Sequence, residues 1–210
     1  MVAVGAEAET SATEQVVLAS ASPTRRRLLE AAGVPFVVRA AAVDESEVKQ
    51  SLRAEGASAF QVAEALAEMK AMRVSAQVPG CLIIGADQML ACDGDWFEKP
   101  ADLAAAARQL RRLSGRTHHL ETSVCVVRDG VRIWHFNDIA RLTMRRFDEA
   151  FVDSYLAEAG PTVLGSVGCY QLEGLGAQLF NKVSGDFFTI LGLPLLPLLD
   201  FLRVHGVIRT

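Results

Sequence analysis

The 210 residues of this chain are 50% hydrophobic and 22% charged, a balance that is typical of a globular protein with a sizeable core. The formal net charge is -4, so the chain lacks the basic surplus by which proteins bind nucleic-acid polymers, and no such partner is expected. Residues 1–14 have neither the basic start nor the apolar run of a secretory signal, and they are expected to form a short disordered lead. Residues 15–210 are then expected to form a single domain.

The most apolar segment, residues 190–202, is interrupted by two prolines and by Asp200, and it is too short to span a bilayer. The four cysteines form no C-x-x-C pair and no zinc-type spacing with histidine, so they are expected to be small core residues. Because nothing here demands an oxidising compartment, we expect a cytoplasmic protein without a membrane partner.

Short apolar runs alternate with helical segments in the first half of the chain. Residues 16–20 (VVLAS) predict a buried strand, and Ser22 and Pro23 supply a cap and a first-turn proline for a helix that runs to Gly33. Further strands are predicted over residues 35–43 and 81–87, and further helices over residues 58–75 and 101–112.

Hairpins dominate the second half. Residues 88–98 (QMLACDGDWFE) predict a hairpin that turns at Asp93-Gly94, and residues 117–146 predict a long hairpin. The long hairpin is expected to turn at Asp129-Gly130. Helices are predicted over residues 148–158 and from Pro194 onward. This order predicts an α/β fold with a mixed sheet and flanking helices.

Three segments carry residue types that suit phosphate chemistry. The first, Ser20-Ala-Ser-Pro-Thr-Arg25-Arg-Arg27, joins a strand to a helix, where backbone N–H groups, hydroxyls and a guanidinium can bind an anion. Taken alone, this segment is more often explained by capping and a solvated basic face. The other two are Gly85-Ala-Asp87-Gln88, at the end of an apolar run, and Glu98-Lys99-Pro100.

Asp87 stands where ligands usually bind in α/β proteins, so its carboxylate could hold Mg²⁺ or orient water, although a turn aspartate is the alternative. Lys99 precedes a proline and therefore lies in extended backbone, from which it could point into a cleft or into solvent. Taken together, the three segments supply the donors and the carboxylate that a Mg-polyphosphate site needs.

The order and spacing of the motifs resemble the Maf nucleotide pyrophosphatase family over about residues 15–205. The matching motifs are LASASPTRRRLL (18–29), VDE (43–45), EMKA (68–71), IIGADQ (83–88), EKP (98–100), LSGRTHHLET (113–122), GCYQLEGLG (168–176) and GDFFTILGLP (185–194). The resemblance implies two lobes around a deep cleft, as in inosine triphosphate pyrophosphatases. It also implies hydrolysis of modified or non-standard nucleoside triphosphates to the monophosphate and pyrophosphate.

The resemblance also implies roles for individual residues. Asp87 corresponds to the proton acceptor, and Glu45 joins Asp87 in holding a divalent cation, Mg²⁺ or Mn²⁺. The basic groups around the triphosphate and a phosphate-loop hydroxyl correspond to Arg25, Lys70, Lys99 and Ser20.

Three positions separate the subfamilies, and here they hold Thr24, Gln88 and Glu173. The branch that prefers dTTP and UTP usually has Arg, Thr and Gln at these positions. The 7-methyl-GTP branch usually has a large aromatic residue, Gln and Glu. Gln88 and Glu173 therefore resemble the 7-methyl-GTP branch, whereas Thr24 fits neither pattern.

Several other polar residues admit a structural interpretation. All four histidines, including His118 in the SGRT-H segment, are interpreted as structural or surface residues. Asp93 and Asp95 resemble a metal pair, but the turn explains Asp93. Tyr170 could line the base pocket or belong to the core.

Two classes of function follow, an enzyme and a non-catalytic binder that regulates cell division by sensing nucleotides or by contacting division proteins. The paired carboxylates favour the enzyme, because bare carboxylates beside a polyphosphate repel it unless a metal lies between them. The small-molecule partner is a nucleoside triphosphate in both cases, and a homodimer is left open.

Overall fold

The computed structural model describes residues 15–209, and the predicted disordered lead at residues 1–14 lies outside this range. The described strands are β1 Val16–Leu18, β2 Val37–Val38, β3 Leu82–Cys92, β4 Asp95–Phe97, β5 Thr117–Arg128, β6 Val131–Met144 and β7 Phe180–Ser184. The α-helices are α1 Pro23–Ala31, α2 Glu45–Ala54, α3 Ala59–Ser75, α4 Leu103–Leu113, α5 Glu149–Ala159, α6 Phe187–Ile190 and α7 Leu195–Val204. Short 3-10 helices cover Gly160–Gly165, Val167–Cys169 and Leu175–Leu179.

Local signals fix most of these boundaries. Ser22 caps α1 by accepting a hydrogen bond from the backbone N–H of Arg25, and Pro23 occupies the first turn. Ser58 forms a reciprocal capping box with Gln61 at the start of α3. The turns at Asp93-Gly94 and Asp129-Gly130 place all four residues in the left-handed region, as a tight hairpin requires.

The seven strands form one mixed sheet in the order β2-β1-β3-β5-β6-β7, with β4 pairing to β3. β1 runs parallel to β2 and β3, and the remaining pairs are antiparallel. The expected α/β fold with a mixed sheet and flanking helices is therefore confirmed.

The edge of β3 that faces β1 is interrupted, and this interruption positions the site. β3 pairs with β5 continuously from Ile83 to Ala91. On its other edge it pairs with β1 only over Leu82–Ile84 and with β4 only over Leu90–Cys92. Within the described residues, the intervening stretch from Gly85 to Met89 has no neighbouring strand on that edge, and a cleft opens there.

Two sequence predictions need correction, and some elements were not predicted at all. The strand predicted over residues 35–43 is reduced to Val37–Val38, because β1 is only three residues long and offers no further backbone partners. The strand predicted over 81–87 and the first arm of the next hairpin form one continuous strand, Leu82–Cys92. Helices α2 and α6 and strand β7 were not predicted; Asp44 caps α2 by accepting from the backbone N–H of Glu47.

The buried hydrophobic residues of the described chain form several separate clusters. One cluster is formed by α4, α5 and residues of β3 to β6, with Leu110 and Leu156 among its buried residues. Another cluster is formed by α1, α7 and residues of β1, β3 and β5, with Leu29 and Leu202 buried. All four cysteines are buried, as expected. Within residues 15–209, every helix is too short or too polar to cross a lipid bilayer.

Candidate active site

The interrupted edge of β3 opens into a cleft of about 320 Å³, within the usual size of a small-molecule site. All nine site residues selected from the sequence line it, namely Ser20, Thr24, Arg25, Glu45, Lys70, Asp87, Gln88, Lys99 and Glu173. The structure therefore brings together residues that are spread over more than half of the chain.

A buried cation joins the two candidate metal ligands at the base of the cleft. Lys70 Nζ, on α3, lies 2.6 Å from Asp87 Oδ1 on β3 and 2.6 Å from Glu45 Oε1 at the start of α2. The side chains of Lys70 and Asp87 are only 9% and 8% exposed. Such a charge-assisted arrangement fixes the positions of Lys70 and Asp87, because each buried charge needs its partner, and the 42% exposed side chain of Glu45 adds a second contact to the same nitrogen.

Arg25 projects from the first turn of α1 into the same space. Its Nε donates to the carbonyl oxygen of Gly192 at 2.7 Å, and its Nη1 donates to Ser20 Oγ at 3.1 Å. Ser20 Oγ also accepts from the backbone N–H of Ser22 at 3.3 Å. The loop after β1 thus holds a guanidinium, two hydroxyls and a helix N-terminus in one place, as an anion-binding site requires.

Charges within the cleft perturb one another. Burial alone would raise the pKa of Glu45, but the hydrogen bond and the positive charge of Lys70 lower it overall. Desolvation lowers the pKa of Lys99, and the charge of Arg25 lowers it further. Desolvation likewise lowers the pKa of Arg25, against the raising effect of Asp87. Apart from Glu173, which lies 3.6 Å from Arg27 at the rim, the cleft sets three cations against the carboxylates of Glu45 and Asp87, and this part of it is positively charged.

The carboxylates suit a hard divalent cation completed by the substrate. Within residues 15–209, no group of three or more His, Cys, Asp or Glu side chains could hold a metal without help. Glu45 and Asp87 converge on the single nitrogen of Lys70, so their oxygens are close enough to share a cation. Mg²⁺ is commonly held by one or two carboxylates together with substrate phosphates, and these residues fit that pattern.

The three specificity positions lie on different walls of the cleft. Gln88 is on β3, and its amide nitrogen donates to three oxygens of β5 and α6. Glu173 lies at the rim, where its Oε1 is 3.6 Å from Nη2 of Arg27. Arg27 Nη2 also lies 3.5 Å from Thr24 Oγ1, so this arginine links two of the three positions.

Several contributors escaped the sequence prediction. Thr122, Thr189 and Gly192 hold Gln88 and Arg25, and short-range sequence patterns carried no signal for such contacts between distant segments. Tyr170 belongs to the buried core and also lines the cleft, and contact with a base stays a prediction. Its hydroxyl lies 2.7 Å from Nε2 of fully buried His118, which confirms a structural position for this histidine.

The candidate metal pair Asp93 and Asp95 lies outside the cleft. Asp93 pairs with Arg116 at 2.6 Å, and Asp95 pairs with Arg112 at 2.5 Å. These exposed ion pairs, together with the turn at Asp93, account for both residues without a metal.

Three cations, two carboxylates and a helix N-terminus meet at the interrupted edge of the mixed sheet. This combination is typical of hydrolases that bind a polyphosphate. The sequence profile of the family described as Maf-like protein matches residues 15–205. The chain therefore belongs to the Maf-like protein family, as the sequence motifs indicated.

Similar proteins carry two kinds of name. A nucleoside triphosphate pyrophosphatase of Paramagnetospirillum magneticum is 60% identical over 190 residues, which covers 90% of this chain and 98% of that protein. A protein of the same name from Granulibacter bethesdensis is 54% identical over 93% of this chain and 100% of its own length. A 7-methyl-GTP pyrophosphatase of Brucella abortus is 48% identical over 91% of this chain and 96% of its own length.

Proposed function

We propose that this chain hydrolyses nucleoside triphosphates to the nucleoside monophosphate and pyrophosphate in the cleft beside β3. The observation that best supports this proposal is that four charged side chains converge in that cleft, namely Lys70, Asp87, Glu45 and Arg25. The names of relatives that match nearly the whole chain support the same reaction. A nucleotide sensor would not need paired carboxylates beside the phosphates, because they oppose binding of an anion.

In the proposed reaction, water attacks the α-phosphorus, and the bond from that phosphorus to the bridging oxygen of the β-phosphate breaks. Asp87 accepts the proton of the attacking water or orients it, and pyrophosphate leaves. Arg25, Lys70 and Lys99 bind the phosphates and stabilise the charge that develops on them in the transition state. Ser20 holds the Arg25 guanidinium by a hydrogen bond and so orients it toward the phosphates.

We further propose that Glu45 and Asp87 hold Mg²⁺ or Mn²⁺. When bound, the metal would neutralise charge on the triphosphate and on the leaving pyrophosphate. Oxygen ligands favour these ions over zinc. Activity should therefore require one of them, and excess EDTA should abolish it until metal is restored. Full turnover in EDTA would contradict the metal proposal and leave the reaction itself standing.

The main test of the reaction is pyrophosphate release by the purified protein with each of several triphosphates. Asp87→Asn should keep nucleotide binding and reduce kcat by about 100-fold or more, the effect of losing a general base. Asp93→Asn is the matched control, because Asp93 is exposed and lies outside the cleft. Binding without any pyrophosphate release by the parent protein would favour the sensor.

For the base, we propose that 7-methyl-GTP or another modified purine triphosphate is used better than dTTP or UTP. The Glu173 carboxylate can accept from the adjacent N–H donors of a guanine edge and favours the positive charge of a 7-methylated ring. Thymine and uracil present one ring N–H between two carbonyls, which a carboxylate repels. Thr24 provides no aromatic face for a cationic base, which should relax the preference.

The base proposal is tested by the ratio of kcat/KM for 7-methyl-GTP to that for dTTP or UTP. Glu173→Gln should shift this ratio toward the pyrimidines, because a site built for one hydrogen-bonding edge rejects another. A parent that prefers dTTP or UTP would refute the proposal in favour of the pyrimidine alternative. A cytoplasmic location and a homodimer remain predictions, and sedimentation of the purified protein would test the second.

A further inference from the structure

The side-chain amide of Gln88 makes all its hydrogen bonds within the described protein through its nitrogen. Gln88 Nε2 donates to Thr122 Oγ1 at 2.8 Å, to the carbonyl oxygen of Thr189 at 2.9 Å and to that of Ile190 at 3.3 Å. Thr122 is the direct cross-strand neighbour of Gln88 on β5 and is completely buried. Thr189 and Ile190 close the short helix α6.

The chemistry of these partners fixes which end of the amide faces them. Backbone carbonyl oxygens can only accept hydrogen bonds, so an amide oxygen in their place would be repelled. Thr122 Oγ1 donates its single hydrogen to the carbonyl oxygen of Thr189 at 3.2 Å. Toward Gln88 this hydroxyl can therefore only accept. All three partners demand the nitrogen, and the orientation of the amide follows from the hydrogen-bond network.

The amide oxygen is consequently the atom that Gln88 offers to the cleft. Gln88 Oε1 lies on the side of Gly192, 3.8 Å from where a Cβ on that glycine would stand. Arg25 Nη2 lies 3.7 Å from the same point, so the acceptor of Gln88 and the phosphate-binding guanidinium border one space. A Cβ at position 192 would stand in ordinary van der Waals contact with both groups, and it is the φ of +94° that favours glycine there.

We propose that Thr122 is a specificity-determining positioning residue, because its hydroxyl holds the Gln88 amide with the oxygen toward the bound base. This inference rests on the proposed function and explains how an amide at position 88 contributes to choice of base. With Oε1 exposed, Gln88 and Glu173 both present acceptors to the cleft. A base edge with adjacent N–H donors satisfies two acceptors, whereas the imide edge of thymine or uracil offers one N–H and two competing oxygens.

The kinetic test compares Thr122→Val with Thr122→Ser. Valine keeps the shape and removes the hydroxyl, whereas serine keeps the hydroxyl. For 7-methyl-GTP, Thr122→Val should raise KM by about five- to tenfold, the effect of one hydrogen bond, and leave kcat unchanged. The KM for dTTP and UTP should stay within about twofold, and Thr122→Ser should match the parent for all substrates.

A readout independent of activity is hydrogen exchange of the Gln88 side-chain amide, followed by NMR with ¹⁵N-labelled protein. Both amide hydrogens should exchange slowly in the parent and in Thr122→Ser, and faster in Thr122→Val. Rapid exchange in the parent would overturn the proposed network. An equal loss of kcat/KM for every substrate in Thr122→Val would assign Thr122 a purely structural role and overturn the specificity role.

The two proposals fail in distinguishable ways. If the parent releases no pyrophosphate from any triphosphate, the proposed function fails, and the exchange measurement still decides whether Thr122 holds Gln88. If the parent is active and Thr122→Val leaves the ratio of kcat/KM unchanged, the inference about Thr122 fails and the hydrolytic function stands.

Discussion

Gly85 is a point of close approach between α3 and β3, and replacing it tests how the site is assembled. A Cβ at this position would stand 2.1 Å from the carbonyl oxygen of Ala67 and 2.8 Å from Cβ of Ala71, both on α3. Lys70 lies between these alanines on the same helix, and Asp87 follows Gly85 by two residues on β3. The close contact therefore sets the distance between the cation and the carboxylate.

The magnitude follows from this geometry. Cβ atoms essentially never come within 3.0 Å of another heavy atom, so in Gly85→Ala the helix must retreat by about 0.9 Å. Overpacking of this kind costs about 1–3 kcal/mol, and the upper end applies because the obstructing atom belongs to the backbone. A displacement of about 1 Å at a catalytic group can reduce turnover by about 100-fold. Gly85→Ala should therefore fold, with unfolding free energy lowered by about 3 kcal/mol and kcat reduced by about 100-fold.

Urea denaturation and pyrophosphate release measure the two effects on the same preparation. The double variant Gly85→Ala/Ala71→Gly removes the side-chain contact and leaves the contact with the Ala67 carbonyl, so it should recover little stability or activity. If the unfolding free energy of Gly85→Ala stayed within about 0.5 kcal/mol of the parent, the usual range of harmless substitutions, the contact with Ala67 would not constrain the packing of α3 on β3. Full rescue by Ala71→Gly would equally refute the primary role of the backbone contact.

Other perturbations test the electrostatics. Lys70→Met should lower the unfolding free energy by about 3 kcal/mol in urea, because it leaves buried Asp87 unpaired; Arg112→Met, which breaks an exposed pair, should cost under about 1 kcal/mol. Burial and the charge of His119 lower the pKa of His118 to about 4 from 6.5. The unfolded chain therefore binds this proton first, and about 3 kcal/mol of stability, fully present above pH 6.5, should be lost as pH falls toward 4. In thermal melts at a series of pH values, the stability of His118→Gln should decrease less between pH 6.5 and pH 4 than that of the parent. An equal decrease in both proteins would exclude His118 as the cause. Because the pKa of Lys99 is lowered from its usual 10.5, this lysine should begin to lose its charge before the rising pH reaches 10.5. kcat/KM should therefore decrease as the pH rises into that range. Lys99→Arg should abolish that fall, and a fall that persists in this variant would assign it to another group.

Local chemistry in the sequence was sufficient to predict most helices and hairpins. The cap at Ser22 and the turns at Asp93-Gly94 and Asp129-Gly130 each act through residues only a few positions apart. They therefore appear in the same form in the sequence and in the structure. The motifs that resemble the Maf family likewise identified the residues that line the cleft, because each motif is a contiguous segment.

The tertiary structure decided what depends on distant pairings. The extent of β2 is set by the length of β1, and the cleft exists because β1 and β4 leave Gly85–Met89 uncovered. No short window of sequence contains that information. The contact of Lys70 with both Asp87 and Glu45 requires α3 to pack against β3 at a glycine and α2 to begin at the cleft. The sequence identified the residues of the site, but the distances between them depend on how separate helices and strands pack against one another.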